Sequence, residues 1–184
     1  FAVEPGAAAY VPLAHDYPGA PDQLIRDAVL EALRPLLEDA ETAKVGQHLK
    51  YDANVLANHG ITLRGIHDDT MLESYILDAA GSRHDLDTLA LKYLGQRTIH
   101  FEDIAGKGAK QLTFNQVPIE EAAPYAAEDA EVTLRLHQML SEKLNQTPSL
   151  SKLYRELEMP LVPVLSRIER NGALVCRDTL AAHS

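Results

Sequence analysis

A single cysteine, Cys176, stands in 184 residues, so no internal disulfide forms and no Cys-based metal spacing exists. The expected compartment is therefore a reducing, cytoplasmic one. No apolar run approaches the roughly 18 to 20 residues needed to span a bilayer. The opening residues FAVEPG carry no basic stretch, so nothing reads as a secretory signal. Low-complexity tracts and internal repeats are also missing. Positive charge is scarce: 17 basic against 27 acidic residues leave a net charge of −10. Taken alone, this argues against a nucleic-acid-binding module, which normally presents a basic face. An acidic domain can still act on nucleic acid if it holds divalent cations and grips only a short end.

What is present is the composition of an ordinary globular protein, 46% hydrophobic and 24% charged, long enough for one sizeable core and part of a second unit. Ala2–Glu4 and Ala8–Ala14 around Pro5-Gly6 predict a β-hairpin. The apolar spacing of Leu24, Ile25, Val29, Leu30, Leu33 and Leu36 predicts a helix over Pro21–Glu38. A strand at Thr42–Gly46 precedes a helix over about Lys50–His59 that stops at Gly60, and Ile61–Ile66 reads as the next strand. Asp69 suits the N-cap of a helix through Leu77, with Asp68 left to solvent. Asp85–Leu94 is amphipathic and ends at Gly95, while Thr98–Thr113 reads as an irregular loop. Pro118 opens a long helix to about Asn145, with Glu120 and Glu121 favourably placed in its first turn. Thr147-Pro148-Ser149 is the clearest boundary. A second long helix, Leu150–Asn171, should kink at Pro160 and Pro163 and is capped by Gly172. Strands alternating with helices give an α/β class.

Two carboxylates stand out. Tyr125, Asp129, Val132, Leu136 and Leu140 recur at spacings of three and four and share one helix face, which is otherwise aliphatic. Asp52 precedes Val55 and Leu56 in the same way on its own helix. An ionised carboxylate on a core face is costly unless paired or bound to a cation, and hard Mg²⁺ prefers oxygen ligands. Spacing alone leaves two roles open for each: Asp52 as metal ligand or helix cap, Asp129 as metal ligand or partner of Arg135. Eight histidines show neither H-x₃-H nor HExxH spacing and no partnering cysteine, so they form no zinc motif.

The wording of the chain goes further. KVGQHLKYDANVL (Lys44–Leu56) resembles the second exonuclease motif of family A DNA polymerases, the bacterial DNA polymerase I type, and YAAEDAEVTLRLH (from Tyr125) resembles their third, of Tyr-x-x-x-Asp form. DTMLESYILDA, RHDLDTLALKYLG and FEDIAGKGAKQLTFNQV read like the same 3′→5′ proofreading exonuclease domain. EMPLVPVLSRIERNGALV looks like the opening of the polymerase domain that follows it. The resemblance implies an RNase H-like fold of the DEDDy exonuclease type, a mixed sheet flanked by helices. It divides the chain into an exonuclease part, 1–146, and the first helix and strand of a polymerase domain, 147–184. It makes Asp52 and Asp129 metal-site carboxylates for Mg²⁺ or Mn²⁺, two ions about 3.5–4 Å apart. Tyr125 becomes the hydroxyl that positions the attacking water, and the reaction the release of nucleoside 5′-monophosphates from a single-stranded DNA 3′ end. Gln47, Tyr51, Arg83 and Phe101 match positions lining the single-strand groove. An aromatic there could stack a base, worth about 1–3 kcal/mol. Lys107 and Lys110 are local candidates for phosphate contact, or simply solvated.

Three departures qualify the resemblance. The family's earliest motif, an Asp-x-Glu on the first strand, is expected before residue 1, so this piece is expected to be inactive alone and its sheet to lack a central strand. His48 stands where Asn is usual. No polymerase catalytic segment is present. The rival to an active proofreading enzyme, monomeric in its parent, is a silent exonuclease-like scaffold of a polymerase; a ribonuclease of the same carboxylate superfamily is the weaker third.

Overall fold

The computed structural model describes residues 1–81 and 83–183. Strands β1 (Ala2–Glu4) and β2 (Ala7–Ala8) pair antiparallel across the Pro5-Gly6 turn, where Gly6 takes φ +82°. The hairpin is shorter than the apolar run through Ala14 predicts. Pro12 has no N–H to donate to a ladder. Helix α1 (Arg26–Leu37) also starts late. His15 N–H donates to Gln23 Oε1 (2.8 Å) and Gln23 Nε2 to His15 O (2.7 Å). This two-way tie holds the preceding segment extended and leaves Leu24 and Ile25 exposed instead of on a helix face.

Strand β3 (Lys44–Gly46) pairs in parallel with β4 (Ile66–Asp69). Between them runs α2 (Leu49–Asn58). The strand expected at Ile61–Ile66 instead begins at Ile66 and runs to Asp69. Its backbone donors are already engaged: Ile61 N with Leu56 O, Thr62 N with Glu38 Oε1, and Arg64 N with Leu37 O. Gly65 adopts φ +67° with backbone carbonyls of Asp39 and Thr42 where a Cβ would be, so only glycine fits this bend. The two pairs stay separate, two two-stranded sheets and not one mixed sheet.

Helices supply most of the chain: α3 (Thr70–Leu77), α4 (Leu86–Leu89) continued by a π-turn Ala90–Leu94, the short α5 (Phe101–Ala105), and the long α6 (Ile119–Asn145). Helix α5 interrupts the loop expected at Thr98–Thr113. It forms because His100 and Asp103 complete a capping box. Gly95, φ +65°, ends the π-turn as expected. The buried stripe of α6 (Val132, Leu136, Leu140) closes on Leu89 and Ala90, with Leu77, Leu86, Tyr93 and Leu94 around it. A second core gathers Ala105, Val117 and Ala122 under Tyr10, Phe101, Ile104 and Phe114.

Helix α7 (Pro148–Leu153) runs into a π-turn, Tyr154–Glu158, and on into α8 (Met159–Asn171). The irregularity lies ahead of the prolines because a helical proline ring clashes with the carbonyl four residues back, here that of Glu156 against Pro160. Beyond Gly172 the described backbone carries no strand. It forms a helix, α9 (Arg177–His183).

Candidate active site

A cavity of about 830 Å³ opens between β1 and β3, walled by α2 and floored by α6. Phe1, Ala2 and Val3 line one side, Val45, Gly46 and Gln47 the other, and Asp52, Ala126 and Asp129 also line it. The slot thus separates the two small sheets and brings into one space the two acids read from the sequence. Their local settings differ. Asp129 is partly buried on α6, one turn after Tyr125, and the two groups shift each other's protonation. Asp52 is exposed by surface area, not on a buried helix face, because Tyr51 and Val55 of α2 are also exposed.

Enough protein surrounds both carboxylates to disfavour their charge. Burial pushes Asp129 up to about 6, opposed by the Tyr125 hydroxyl and assisted by the charges of Asp87 and Glu128. Asp52 is raised by desolvation and by Asp69, against the opposing charge of His48. Burial and Asp129 together push the Tyr125 phenol up to about 12, so it is a proton donor at neutral pH. Among the described residues no lysine or arginine forms an ion pair with either acid, Arg135 pairing instead with Glu131. An all-oxygen donor set with uncompensated negative charge fits a hard divalent cation.

Asp69 holds this geometry. It caps α3 by accepting from Met71 N (3.0 Å) and reaches across to the start of α2, accepting from His48 N (3.0 Å) and Leu49 N (2.7 Å). Asp52 therefore stands on a helix whose first turn is anchored to β4. His48 enters α2 at φ +63°, the only described non-glycine residue with positive φ. Asn and Asp tolerate this left-handed region better than most side chains.

The groove residues separate. Gln47 lines the slot, but its amide is engaged within the protein, Nε2 donating to His84 O (2.8 Å) and Oε1 accepting from Thr70 Oγ1. With Arg83, His48 and Met71 it also lines an adjoining cavity of about 570 Å³. Arg83 is 87% exposed and 3.1 Å from Asp85. Tyr51, 64% exposed, tilts against His48 with ring centroids 6.2 Å apart. Phe101 is not free in a groove. It packs on Tyr125 at 6.1 Å and on Phe114 at 6.4 Å. Lys107 pairs with Glu102 at 2.6 Å.

Two groups escaped sequence reasoning. Asp87 adds its charge beside Tyr125 and Asp129, and is held by Thr98 Oγ1 and His100 Nδ1, each at 2.6 Å. A third carboxylate in the first turn of α4 was its only signal. Asp68 was expected in solvent, yet it is 1% exposed, because β4 places it under Arg155 and beside His137.

Residues 1–145 match the profile of the 3′-5′ exonuclease domain of DNA polymerase A. The chain is 67% identical over 186 residues to DNA polymerase I of Pseudomonas aeruginosa, an alignment covering all of this chain and 20% of that protein. It is 46% identical over 183 residues to DNA polymerase I of Rhizobium leguminosarum, covering 95% and 18%. The chain thus spans about one fifth of these relatives. A solved structure of the POL domain of Pol1 from M. smegmatis, in complex with DNA primer-template and dNTP, superposes with a TM-score of 0.60 at 26% identity, over 79% of this chain and 22% of that one.

Proposed function

This chain belongs to the 3′-5′ exonuclease family of DNA polymerase A, and on that premise we propose that it forms the proofreading site of a DNA polymerase I, removing nucleotides from a single-stranded 3′ end within an RNase H-like domain. The observation that supports this reading is the shared slot: Asp52 and Asp129, 77 positions apart in sequence, line one cavity, and among the described residues no basic side chain pairs with either. When bound there, a pair of Mg²⁺ or Mn²⁺ ions supplies an activated water and stabilises the leaving oxygen of the phosphodiester. Asp52 and Asp129 hold that charge. The Tyr125 hydroxyl, kept protonated, is the group that orients the water, and its ring is fixed against Phe101 and Phe114. Arg83 and Gln47 of the adjoining cavity, with Tyr51 packed on His48 there, are the groups that hold the strand.

The test is release of nucleotides from a 3′-labelled single-stranded oligonucleotide with Mn²⁺, by a full-length polymerase carrying this segment. Replacing Asp129 with Ala should lower release at least about 100-fold, more than losing an outer-shell partner of a metal site costs, while polymerisation stays near its original rate. Tyr125→Phe should lower the rate without removing metal binding. Undiminished nuclease activity in Asp129→Ala would remove the assignment. The scaffold reading draws on one observation, that Gln47 is engaged at both ends within the protein; it requires that even the unaltered polymerase release nothing.

A further inference from the structure

Outside the slot, β4, α3 and α6 bring together Asp68, Glu73 and His137, with one oxygen or ring nitrogen of each lying within 4.8 Å of the others. Both carboxylates are buried, Asp68 1% and Glu73 0% exposed. We propose that Asp68 and His137, with Glu73 orienting the imidazole, form a second metal site, for a borderline divalent ion of the Zn²⁺ class, distinct from the all-oxygen site in the slot.

The hydrogen bonding points to this use. Glu73 Oε1 lies 2.9 Å from His137 Nδ1, which fixes the ring and, for a neutral imidazole, places the proton on Nδ1. Nε2 then turns a lone pair toward Asp68 Oδ2, 3.8 Å away. That is too long for a hydrogen bond. It suits two ligands each about 2.0–2.2 Å from a shared ion. A histidine ligand whose other ring nitrogen donates to a carboxylate is the usual outer-shell arrangement of zinc centres. Independently, Glu73 Oε2 is fully buried with no hydrogen-bond partner. An unpaired buried carboxylate oxygen is costly, and its charge favours a cation nearby.

Arg155 does not block the site. Its Nη2 stands 2.8 Å from Asp68 Oδ1, as an ion pair outside hydrogen-bond alignment, and leaves Oδ2 facing His137. His67 Nδ1 contacts that Oδ2 at 2.5 Å from the solvent side, and its ring is 61% exposed. It is free to turn and serve as a third ligand beside Asp68 and His137, or to yield to water. Mixed nitrogen and oxygen donors in a closed pocket select Zn²⁺ or Co²⁺ over Mg²⁺. The ion would tie β4 to α6. The bland alternative is a protonated His137 completing an ion-pair network without metal.

The experiment is titration of the purified chain near neutral pH with Co²⁺, read by visible absorption, and with Zn²⁺, read by calorimetry. An Asp52→Asn/Asp129→Asn chain serves as the background that silences the slot. The expected result is one equivalent of Co²⁺ in both chains, displaced by Zn²⁺, and weakened about 10-fold or more by His137→Gln or Asp68→Asn. Glu73→Gln should weaken binding about 10- to 100-fold. No uptake by the unaltered chain overturns the proposal whatever the variants do. Uptake that disappears with the slot carboxylates, or that folded His137→Gln and Asp68→Asn leave unchanged, overturns it equally.

Discussion

Replacing Asp69 with Ala should cost far more than an average helix cap. One carboxylate satisfies three backbone donors on two helices: Met71 N at the start of α3, and His48 N and Leu49 N at the start of α2. A lost cap costs about 1 kcal/mol, and hydrogen bonds to a charged acceptor about 1.5–3 kcal/mol each. Against this, burial raises the Asp69 pKa, so removing the carboxylate also relieves desolvation. A net loss of about 3–4 kcal/mol is expected for Asp69→Ala, a large share of the roughly 5–15 kcal/mol that holds a domain folded. At about 2–4 °C per kcal/mol for this size, Tm should fall by roughly 6–16 °C. Asp69→Asn separates the contributions. Its one carbonyl can replace Oδ1, which serves both His48 and Met71, but its amide group opposes Leu49 N. About half the loss should return. The assay is urea and thermal unfolding followed by circular dichroism. A cost for Asp69→Ala under about 1 kcal/mol, or equal costs for Ala and Asn, would refute the idea that this carboxylate joins the two helices.

Further outcomes are expected. The Asp129 carboxyl, followed by carbon NMR, should titrate near 6, and Mg²⁺ should move its midpoint to lower pH. Because that folded-state value lies above the ordinary 3.8, the contribution of Asp129 to stability is complete below about 3.8 and is lost as pH rises through about 6. In urea unfolding, His48→Asn should stabilise the chain by up to about 1 kcal/mol, by easing the left-handed backbone at φ +63°. Leu136→Ala, at the centre of the main core, should cost about 2–5 kcal/mol in the same assay.

The long-period features were legible in the sequence. Helix α6 ends where Pro118 and Asn145 said it would, since an aliphatic stripe at helical spacing has one stable burial. Asp69 was recognisable as a cap, but not as the cap of a second helix, because that contact closes over twenty residues of intervening chain. The strand at Ile66–Asp69 was misplaced because Glu38 and Leu37, remote in sequence, take the donors of the segment before it. Asp52 and Asp129 could be nominated from the chain, while the slot they share depends on how α2 and α6 pack. Asp68 offered no signal, being one polar residue in a polar dipeptide.

Tyr154 lies wholly inside the protein at the π-turn, and its hydroxyl receives the Asp69 backbone N–H at 2.9 Å. Farther along, α8 grips the opposite side of α2: Ser166 donates to Asn54 Oδ1 at 2.6 Å, and Glu169 meets both Asn54 and Lys50. The helix that presents Asp52 is thus clamped at its first turn by Asp69, which Tyr154 holds, and along its flank by α8. Any rocking of α8 and the π-turn before it must carry the α2 wall of the slot with it, while the floor, on α6, stays seated in its own core.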